Sequence, residues 1–254
     1  MQDIEQDVVK EDLSRQLHQG GSAVSRYKQK VLGNKTSYLR LLQFELAQIF
    51  CANLGGGLGY LLRKLTFASL FQSCGSGLIL GKGIIIRKPG NISLGSNIAI
   101  DDQTLLDGGT GADSCIRIGN NCFISKGSVI QAKTGYLDIG DGCDIGAHVF
   151  IGSIGGIVLG SHVLIAGNCY IGGARYHLES TVTPIMHQGI YSRGPITIGT
   201  GTWLGASVTI LDGVTIGENC VIGAGSLVTK DIPNYATAVG SPARVIHIRD
   251  MEGL

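Results

Sequence analysis

The fold class that this 254-residue sequence predicts is mainly β, a triangular parallel β-helix, and three observations lead to it. Aliphatic residues recur every six positions from residue 198 to residue 228, a period that fits neither a helix nor a plain strand. Forty glycines and a low content of charged residues suit tight turns between short strands. Each uninterrupted series of hexads holds three members or six, which indicates that three hexads complete one turn of a solenoid.

The repeats extend over most of the chain. They begin faintly at residues 80, 86, 94 and 100 and become clear in the series 118/124/130, 139/145/151, 159/165/171 and 198/204/210/216/222/228. One short strand per hexad gives a coil of about 18 residues, with the aliphatic side chains stacked inward and glycine-rich corners. About six coils at the ~4.8 Å strand spacing make a prism ~30 Å tall.

The segment before the repeats has a different character. Residues 1–35 are polar and charged, which predicts a loose helix and then a linker near residues 20–22. Two apolar runs follow, at residues 39–50 and 61–71, and each predicts a helix of about three turns, with the glycines at 55–57 and 59 between them. We therefore divide the chain into an N-terminal helical segment (1–75), a β-helix domain (76–248) with a loop excursion (174–195), and a tail (249–254).

The two N-terminal helices admit two interpretations. They are apolar over most of their circumference, so they are suited to cap an open end of the solenoid. The same composition also suits contact with a membrane surface through residues 38–72, with Arg63 and Lys64 near lipid phosphates. Both interpretations stay open at this point.

Composition narrows the remaining possibilities. A net charge of +1 without a dense basic run argues against a nucleic-acid partner. The polar, acidic N-terminus does not resemble a signal peptide, and no run is long and apolar enough to span a membrane, so we expect a cytoplasmic protein. Four of the seven cysteines occupy one slot of the repeat, four positions after a hexad aliphatic (Cys122, Cys143, Cys169 and Cys220), so we expect them to be small packing residues rather than metal ligands.

The C-terminal motifs carry a resemblance to a known family. Residues 203–206, 221–226, 228–231 and 240–246 closely resemble the hexapeptide-repeat acyltransferases, and most closely their sugar O-acetyltransferase branch. This resemblance, which covers residues 80–248, implies that the β-helix is left-handed, although most parallel crossovers are right-handed. It also implies a homotrimer with its sites between subunits, and acetyl-CoA as co-substrate with no metal required.

The loop at residues 174–195 is the predicted location of the catalytic base. A loop this long that leaves a regular coil is usually functional, and it carries His177 and His187. A sugar hydroxyl is un-ionised at neutral pH, and a histidine can take its proton as the oxygen attacks a thioester. By resemblance His177 is the base, and nearby Glu179 is a candidate to orient its imidazole. Many relatives have a second histidine where this chain has Arg175, and if the base of those relatives aligns with Arg175, this chain lacks it. His187 remains an alternative base.

The resemblance also assigns coenzyme A contacts residue by residue. It implies a tryptophan that lines the groove, two alanines that offer backbone groups to the pantetheine amides, a Thr-Lys pair at its far end and an arginine for the nucleotide phosphates. These residues are Trp203, Ala206, Ala224, Thr229, Lys230 and Arg244.

A second pair of histidines raises a metal-dependent alternative. His148 and His162 lie at equivalent slots of consecutive coils, so they could stack on one corner. Stacked histidines would be reminiscent of the γ-class carbonic anhydrases, which share the fold and bind zinc. The His-x4-His spacing of that family is absent, which favours exposed corner residues.

The sequence thus predicts an acetyl-CoA-dependent O-acetyltransferase that acts on a sugar or polysaccharide-precursor hydroxyl. An N-acyl or serine acyltransferase of the same fold and a non-catalytic trimeric scaffold are the alternatives. The acceptor is not identified, because residues 150–156, where galactoside-specific relatives place polar residues, are small and plain.

Overall fold

The structure, a computed structural model, describes residues 22–33 and 36–249. Three helices open it: α1 (Ala23–Leu32), α2 (Tyr38–Phe50) and α3 (Gly56–Phe67), and a 3-10 turn follows at Ala68–Leu70. The first two helices are each capped by a serine hydroxyl. Ser22 Oγ accepts the backbone N–H of Ser25, and Ser37 Oγ accepts that of Arg40, so one free amide of each first turn is satisfied. The loose helix predicted before residue 22 and most of the predicted linker lie outside the described residues.

Helices α2 and α3 form an antiparallel pair. The Arg40 guanidinium, near the start of α2, donates to the Ser69 carbonyl beyond the end of α3 at 2.9 Å. The predicted glycine turn is shorter than expected, because α3 already begins at Gly56 and Gly59 lies inside it. A side chain at Gly59 would collide with the Leu54 carbonyl, so glycine there lets the helix lie directly on the preceding turn.

The strands after residue 72 form three parallel sheets that share one coiling chain. The first sheet contains β1 (Ser73–Cys74), β4 (Ile92–Leu94), β7 (Cys115–Ile118), β10 (Tyr136–Ile139), β13 (Ile157–Leu159), β18 (Ile196–Ile198) and β21 (Thr215–Ile216). The second contains β2 (Ile79–Leu80), β5 (Ala99–Ile100), β8 (Phe123–Ile124), β11 (Asp144–Ile145), β14 (Leu164–Ile165), β19 (Trp203–Leu204), β22 (Val221–Ile222), β24 (Ala236–Gly240) and β25 (Ala243–Ile248). The third contains β3 (Ile85–Arg87), β6 (Leu105–Asp107), β9 (Val129–Gln131), β12 (Phe150–Gly152), β15 (Tyr170–Gly172), β20 (Thr209–Ile210) and β23 (Leu227–Val228).

The predicted three-sided parallel β-helix is confirmed, but it has seven coils rather than about six. The first coil, whose signal at residues 80 and 86 is faint, starts earlier than the repeats indicate. It begins at Ser73–Cys74, where Cys74 pairs with Leu94 in the place of a hexad aliphatic. Because that strand lacks the aliphatic residue, the six-residue period gives no signal there.

The core is a set of aliphatic columns, one per sheet. In the third sheet every member is at most 1% exposed: Ile86, Leu106, Ile130, Ile151, Ile171, Ile210 and Val228. The four cysteines of the repeat are also buried, and all seven cysteines are free thiols, as the packing interpretation predicts. Within the described residues no helix is long and apolar enough to cross a bilayer.

Candidate active site

The long loop leaves the β-helix after β15, at the corner between the third and first sheets. Its two arms pair as a short antiparallel hairpin of β16 (Arg175–Tyr176) and β17 (Ile190–Tyr191). Beyond the hairpin, the Ser180 hydroxyl accepts the backbone N–H groups of Val182 and Thr183, and the Gln188 side-chain amide donates to the Ser180 carbonyl at 2.8 Å. The loop is therefore held by its own hydrogen bonds.

Asp212, on the next coil at the same corner, holds the base of this loop. Its carboxylate accepts the Arg193 backbone N–H at 2.8 Å and lies 3.6 Å from the Arg175 Nε. These two residues belong to the returning and the departing arm of the loop. Asp212 is 6% exposed and is the one buried acidic side chain among the described residues. A single carboxylate thus fixes both arms against the prism.

His177 follows the first strand of the hairpin. Its backbone N–H donates to the Gly189 carbonyl at 3.3 Å, and its ring centroid lies 4.8 Å from that of Tyr191. The ring Nδ1 is 3.3 Å from the Glu179 carboxylate. In the tautomer that donates from Nδ1 to Glu179, the lone pair that accepts a proton falls on Nε2. The side chain is 26% exposed, so it is oriented yet reachable.

The pKa of the Glu179 carboxyl is lowered from its usual 4.5, first by a hydrogen bond from its own backbone amide and then by the His177 side chain. Glu179 is consequently a carboxylate throughout the neutral range, which is the form that supports an imidazolium. His187 lies in a one-turn 3-10 helix (Ile185–His187) of the same loop, and its side chain is exposed.

Trp203, Ala206 and Ala224 lie together along the last coils. Trp203 points outward from β19 and is 48% exposed between its paired neighbours Leu164 and Val221. Ala206 and Ala224 occupy one position on successive coils, at the corner between the second and third sheets. The Ala206 carbonyl accepts the N–H of the residue after Ala224, whereas neither backbone group of Ala224 is hydrogen-bonded to a described residue. This corner therefore offers a backbone donor and acceptor to a ligand.

The other predicted coenzyme contacts fall on two further positions. Arg244 is exposed on β25, the last strand of the second sheet. This strand pairs antiparallel with β24, and Arg244 lies opposite Val239. Thr229 and Lys230 follow β23 at the corner between the third and first sheets, one coil above Asp212. The chain accordingly places His177, Thr229 and Lys230 at one corner, and Ala206 and Ala224 at another.

The outer face of the third sheet contains features that the sequence interpretation missed. Residues 150–156, which the sequence analysis describes as small and plain, include Phe150. Its ring stacks on that of Tyr170 of the next coil, with centroids 5.0 Å apart and planes inclined by 4°. The Lys133 Nζ lies 5.3 Å from the Phe150 centroid, and burial lowers the pKa of Lys133. Partners one coil apart are about 20 residues apart in sequence, so they become visible only when the length of each coil is known.

His148 and His162 do not stack, and the favoured interpretation of exposed corner residues is confirmed. His148 lies in the turn between β11 and β12, and His162 lies in the turn between β13 and β14, so the two histidines occupy different corners. Both adopt a left-handed backbone conformation at a corner and are exposed. Among residues 22–33 and 36–249, no group of three or more His, Cys, Asp or Glu side chains is placed to hold a metal ion.

The chain is a parallel β-helix built from six-residue repeats, and two family models match parts of it. A family model described as bacterial transferase hexapeptide (six repeats) matches residues 195–230, and one described as hexapeptide repeat of succinyl-transferase matches residues 136–172. The first match contains Trp203, Ala206 and Ala224. The resemblance to hexapeptide-repeat acyltransferases that the sequence motifs indicate is thus confirmed.

Among curated relatives, the chain is 37% identical over 136 residues to a Mycobacterium tuberculosis protein named "Probable acetyltransferase", a match that covers 54% of this chain and 45% of the relative. It is 47% identical over 94 residues to the galactoside O-acetyltransferase of Escherichia coli, covering 35% of this chain and 43% of the relative. The chain therefore spans less than half the length of these curated relatives.

Two solved structures are also similar. The first is a mutant of AntD, an N-acyltransferase from Bacillus cereus in complex with dTDP and coenzyme A, with a TM-score of 0.48, 24% identity, and coverage of 71% of this chain and 85% of that one. The second is a maltose O-acetyltransferase from Clostridium difficile, with a TM-score of 0.38, 27% identity, and coverage of 87% and 93%.

Proposed function

We propose that this protein is an acetyl-CoA-dependent O-acetyltransferase that acts on the hydroxyl of a sugar or polysaccharide precursor. The observation that carries the proposal is the ordered hairpin that presents His177 against a carboxylate, one coil before the Trp203 strand. The curated relatives named as acetyltransferases, one of them a galactoside O-acetyltransferase, support the same reaction class.

In the proposed reaction, His177 accepts the proton of the sugar hydroxyl on Nε2 as the oxygen attacks the thioester carbonyl carbon. The tetrahedral intermediate then collapses, its C–S bond breaks and the acetyl ester forms. The departing coenzyme A thiolate takes the proton back from the imidazolium. Glu179 accepts a hydrogen bond from Nδ1–H and stabilises the transient positive charge. The reaction balances without a covalent enzyme intermediate.

The coenzyme would lie along the corner formed by Ala206 and Ala224. The unpaired N–H and carbonyl of Ala224 match the hydrogen-bonding pattern of a pantetheine amide. Exposed Trp203 would cover the thioester end of this groove. Arg244 would meet the nucleotide phosphates, and Thr229 with Lys230 of the subunit that contributes His177 would bind at the far end of the groove.

The positions of these groups support our proposal of a homotrimer with its sites between subunits. In one chain the third sheet separates the Ala206–Ala224 corner from the corner that carries the His177 loop. A site built at the junction of two prisms would bring the loop of one subunit to the Ala224 corner of the next. A closed three-fold ring repeats that junction three times with the same surfaces.

The proposal is tested by measuring coenzyme A release from acetyl-CoA, with chromatographic detection, in the presence of simple sugars, amino sugars and serine. Release that depends on a sugar hydroxyl, with an ester product identified by mass spectrometry, would support it. An amide product would assign N-acyl transfer, and an ester on serine would assign a serine acyltransferase. Tight binding of coenzyme A without turnover for any acceptor would contradict the catalytic role.

A further inference from the structure

Helix α2 has two opposite apolar faces. One face packs inward through Leu41, Phe44 and Ala47. The other is solvent-exposed, with 47–77% of each side chain accessible: Leu39, Leu42, Leu46, Ile49 and Phe50. At 3.6 residues per turn these five fall within an arc of roughly 100°, opposite the buried face. Core packing therefore does not explain them.

Helix α3, which contacts α2, has an exposed apolar stripe of its own. Leu58, Leu61 and Leu65 share one side of the helix and are 53–64% exposed, whereas the opposite side is buried through Arg63 and Phe67. The eight exposed side chains of α2 and α3 form what we call the outer apolar face. Together they expose on the order of 900 Å², well above the few hundred Å² typical of the largest patch on a monomer.

Buried Arg63 fixes this face in place. Its guanidinium donates to the carbonyls of Leu80 at 2.7 Å, Leu54 at 2.6 Å and Cys51 at 3.1 Å, which ties α3 to the first coil and to the turn after α2. Arg63 is 1% exposed, so its predicted contact with lipid phosphates is wrong. Lys64 is exposed at the edge of the α3 stripe and remains available for that role.

The charge of the surrounding segment identifies the chemistry of the partner. Residues 22–88 contain ten lysines and arginines and a single acidic residue, Glu45. The rest of the chain is net negative, since residues 1–21 have five acidic and two basic residues and residues 89–254 have thirteen acidic and eight basic ones. The outer apolar face thus belongs to a strongly basic segment of an otherwise acidic chain, even when buried Arg63 is left out of the count.

We propose that the outer apolar face docks on an anionic lipid surface, with the apolar side chains in the interface and the basic residues at the headgroups. A self-complementary contact between two copies of this face would bring two strongly basic segments together, which disfavours a second copy as the partner. The proposal places the protein at a membrane surface and does not depend on the acetyl-transfer reaction.

The test is flotation of the full chain with vesicles of phosphatidylcholine alone or of phosphatidylcholine mixed with phosphatidylglycerol. We expect binding to the mixed vesicles that falls as salt is raised. The double variant Leu39→Asp/Ile49→Asp should lower the partition coefficient by about a hundredfold, because two apolar side chains leave the interface. Both positions are more than 60% exposed, so the fold tolerates the change.

The matched control is Ile246→Asp/Ile248→Asp, which adds the same charge at two exposed apolar positions of the C-terminal strand. This variant should float like the unchanged protein. Absence of flotation, or flotation that the Leu39/Ile49 change leaves intact, would overturn the proposal. Equal binding to neutral and anionic vesicles would also overturn it. A fall in the sedimenting mass of the Leu39/Ile49 variant would instead assign the face to contact between copies.

Discussion

Replacement of Asp212 by alanine should release the loop at residues 174–195 while leaving the β-helix intact. The substitution removes the acceptor of the Arg193 N–H at 2.8 Å and the counter-charge 3.6 Å from Arg175. Loss of the acceptor costs about 1–3 kcal/mol, toward the low end because Arg193 is itself exposed. The ion pair adds at most about 1 kcal/mol, since the Arg175 side chain is 41% exposed and screened by water. The change therefore destabilises the docked loop by about 2 kcal/mol.

Hydrogen–deuterium exchange of residues 174–195 measures this effect directly. A loss of about 2 kcal/mol corresponds to an approximately thirtyfold loss of protection in the loop. The neutral replacement Asp212→Asn keeps an acceptor for Arg193 and removes only the charge, so it should lose no more than about fivefold. The melting temperature should change little in either variant, because the loop opens without the coils. If the exchange of residues 174–195 did not change, or if the melting temperature fell sharply without faster loop exchange, Asp212 would not be what holds the loop.

Two further predictions concern the base and the coenzyme corner. Glu179→Gln should lower kcat by about twofold to fivefold, because an exposed carboxylate gives limited support to the imidazolium of His177. The lowered pKa of Glu179 keeps its carboxyl ionised above pH 4.5, so the loss of rate between pH 8 and 5 reflects protonation of His177; it should persist in the variant and move to lower pH. A larger loss of kcat, or a pH profile that does not move, would contradict this. Gly205→Ala should weaken coenzyme A binding by about tenfold in calorimetry, because the added carbon would lie 2.6 Å from the Ala224 backbone nitrogen and displace that corner. Gly90→Ala, where no atom lies within 4 Å, is the control, and equal affinity in both variants would argue against the Ala224 corner as the binding site.

Much of the fold could be predicted because the solenoid repeats one local rule. Each hexad places one aliphatic residue inward, so the period alone gives three sheets and their register. The first strand of the first coil was missed because Cys74 replaces the aliphatic residue that marks a strand, and residues 80 and 86 of the same coil gave only a faint signal. The relation between His148 and His162 was misjudged because equivalent hexad slots recur at all three corners, and only the coil lengths assign a slot to a corner.

Less of the site could be predicted, since its contacts join residues that are distant in sequence. The loop length pointed to His177 and Glu179, which the structure brings within 3.3 Å. Asp212 was missed, although one signal was available: Leu211 stands where glycine usually follows the hexad aliphatic, and a carboxylate follows it directly. Its partners at Arg175 and Arg193 could not be inferred without the path of the loop.

The most direct test of the proposed mechanism compares His177→Ala with His187→Ala in acetyl transfer to a sugar. Both residues lie in the same loop, so the pair separates proton abstraction from any general effect of losing a loop histidine. We predict that His177→Ala lowers kcat by about 10²–10⁴ with little change in the KM for acetyl-CoA, and that His187→Ala stays within about threefold. Full activity in His177→Ala, or the large loss in His187→Ala instead, would contradict the assignment of His177 as the base.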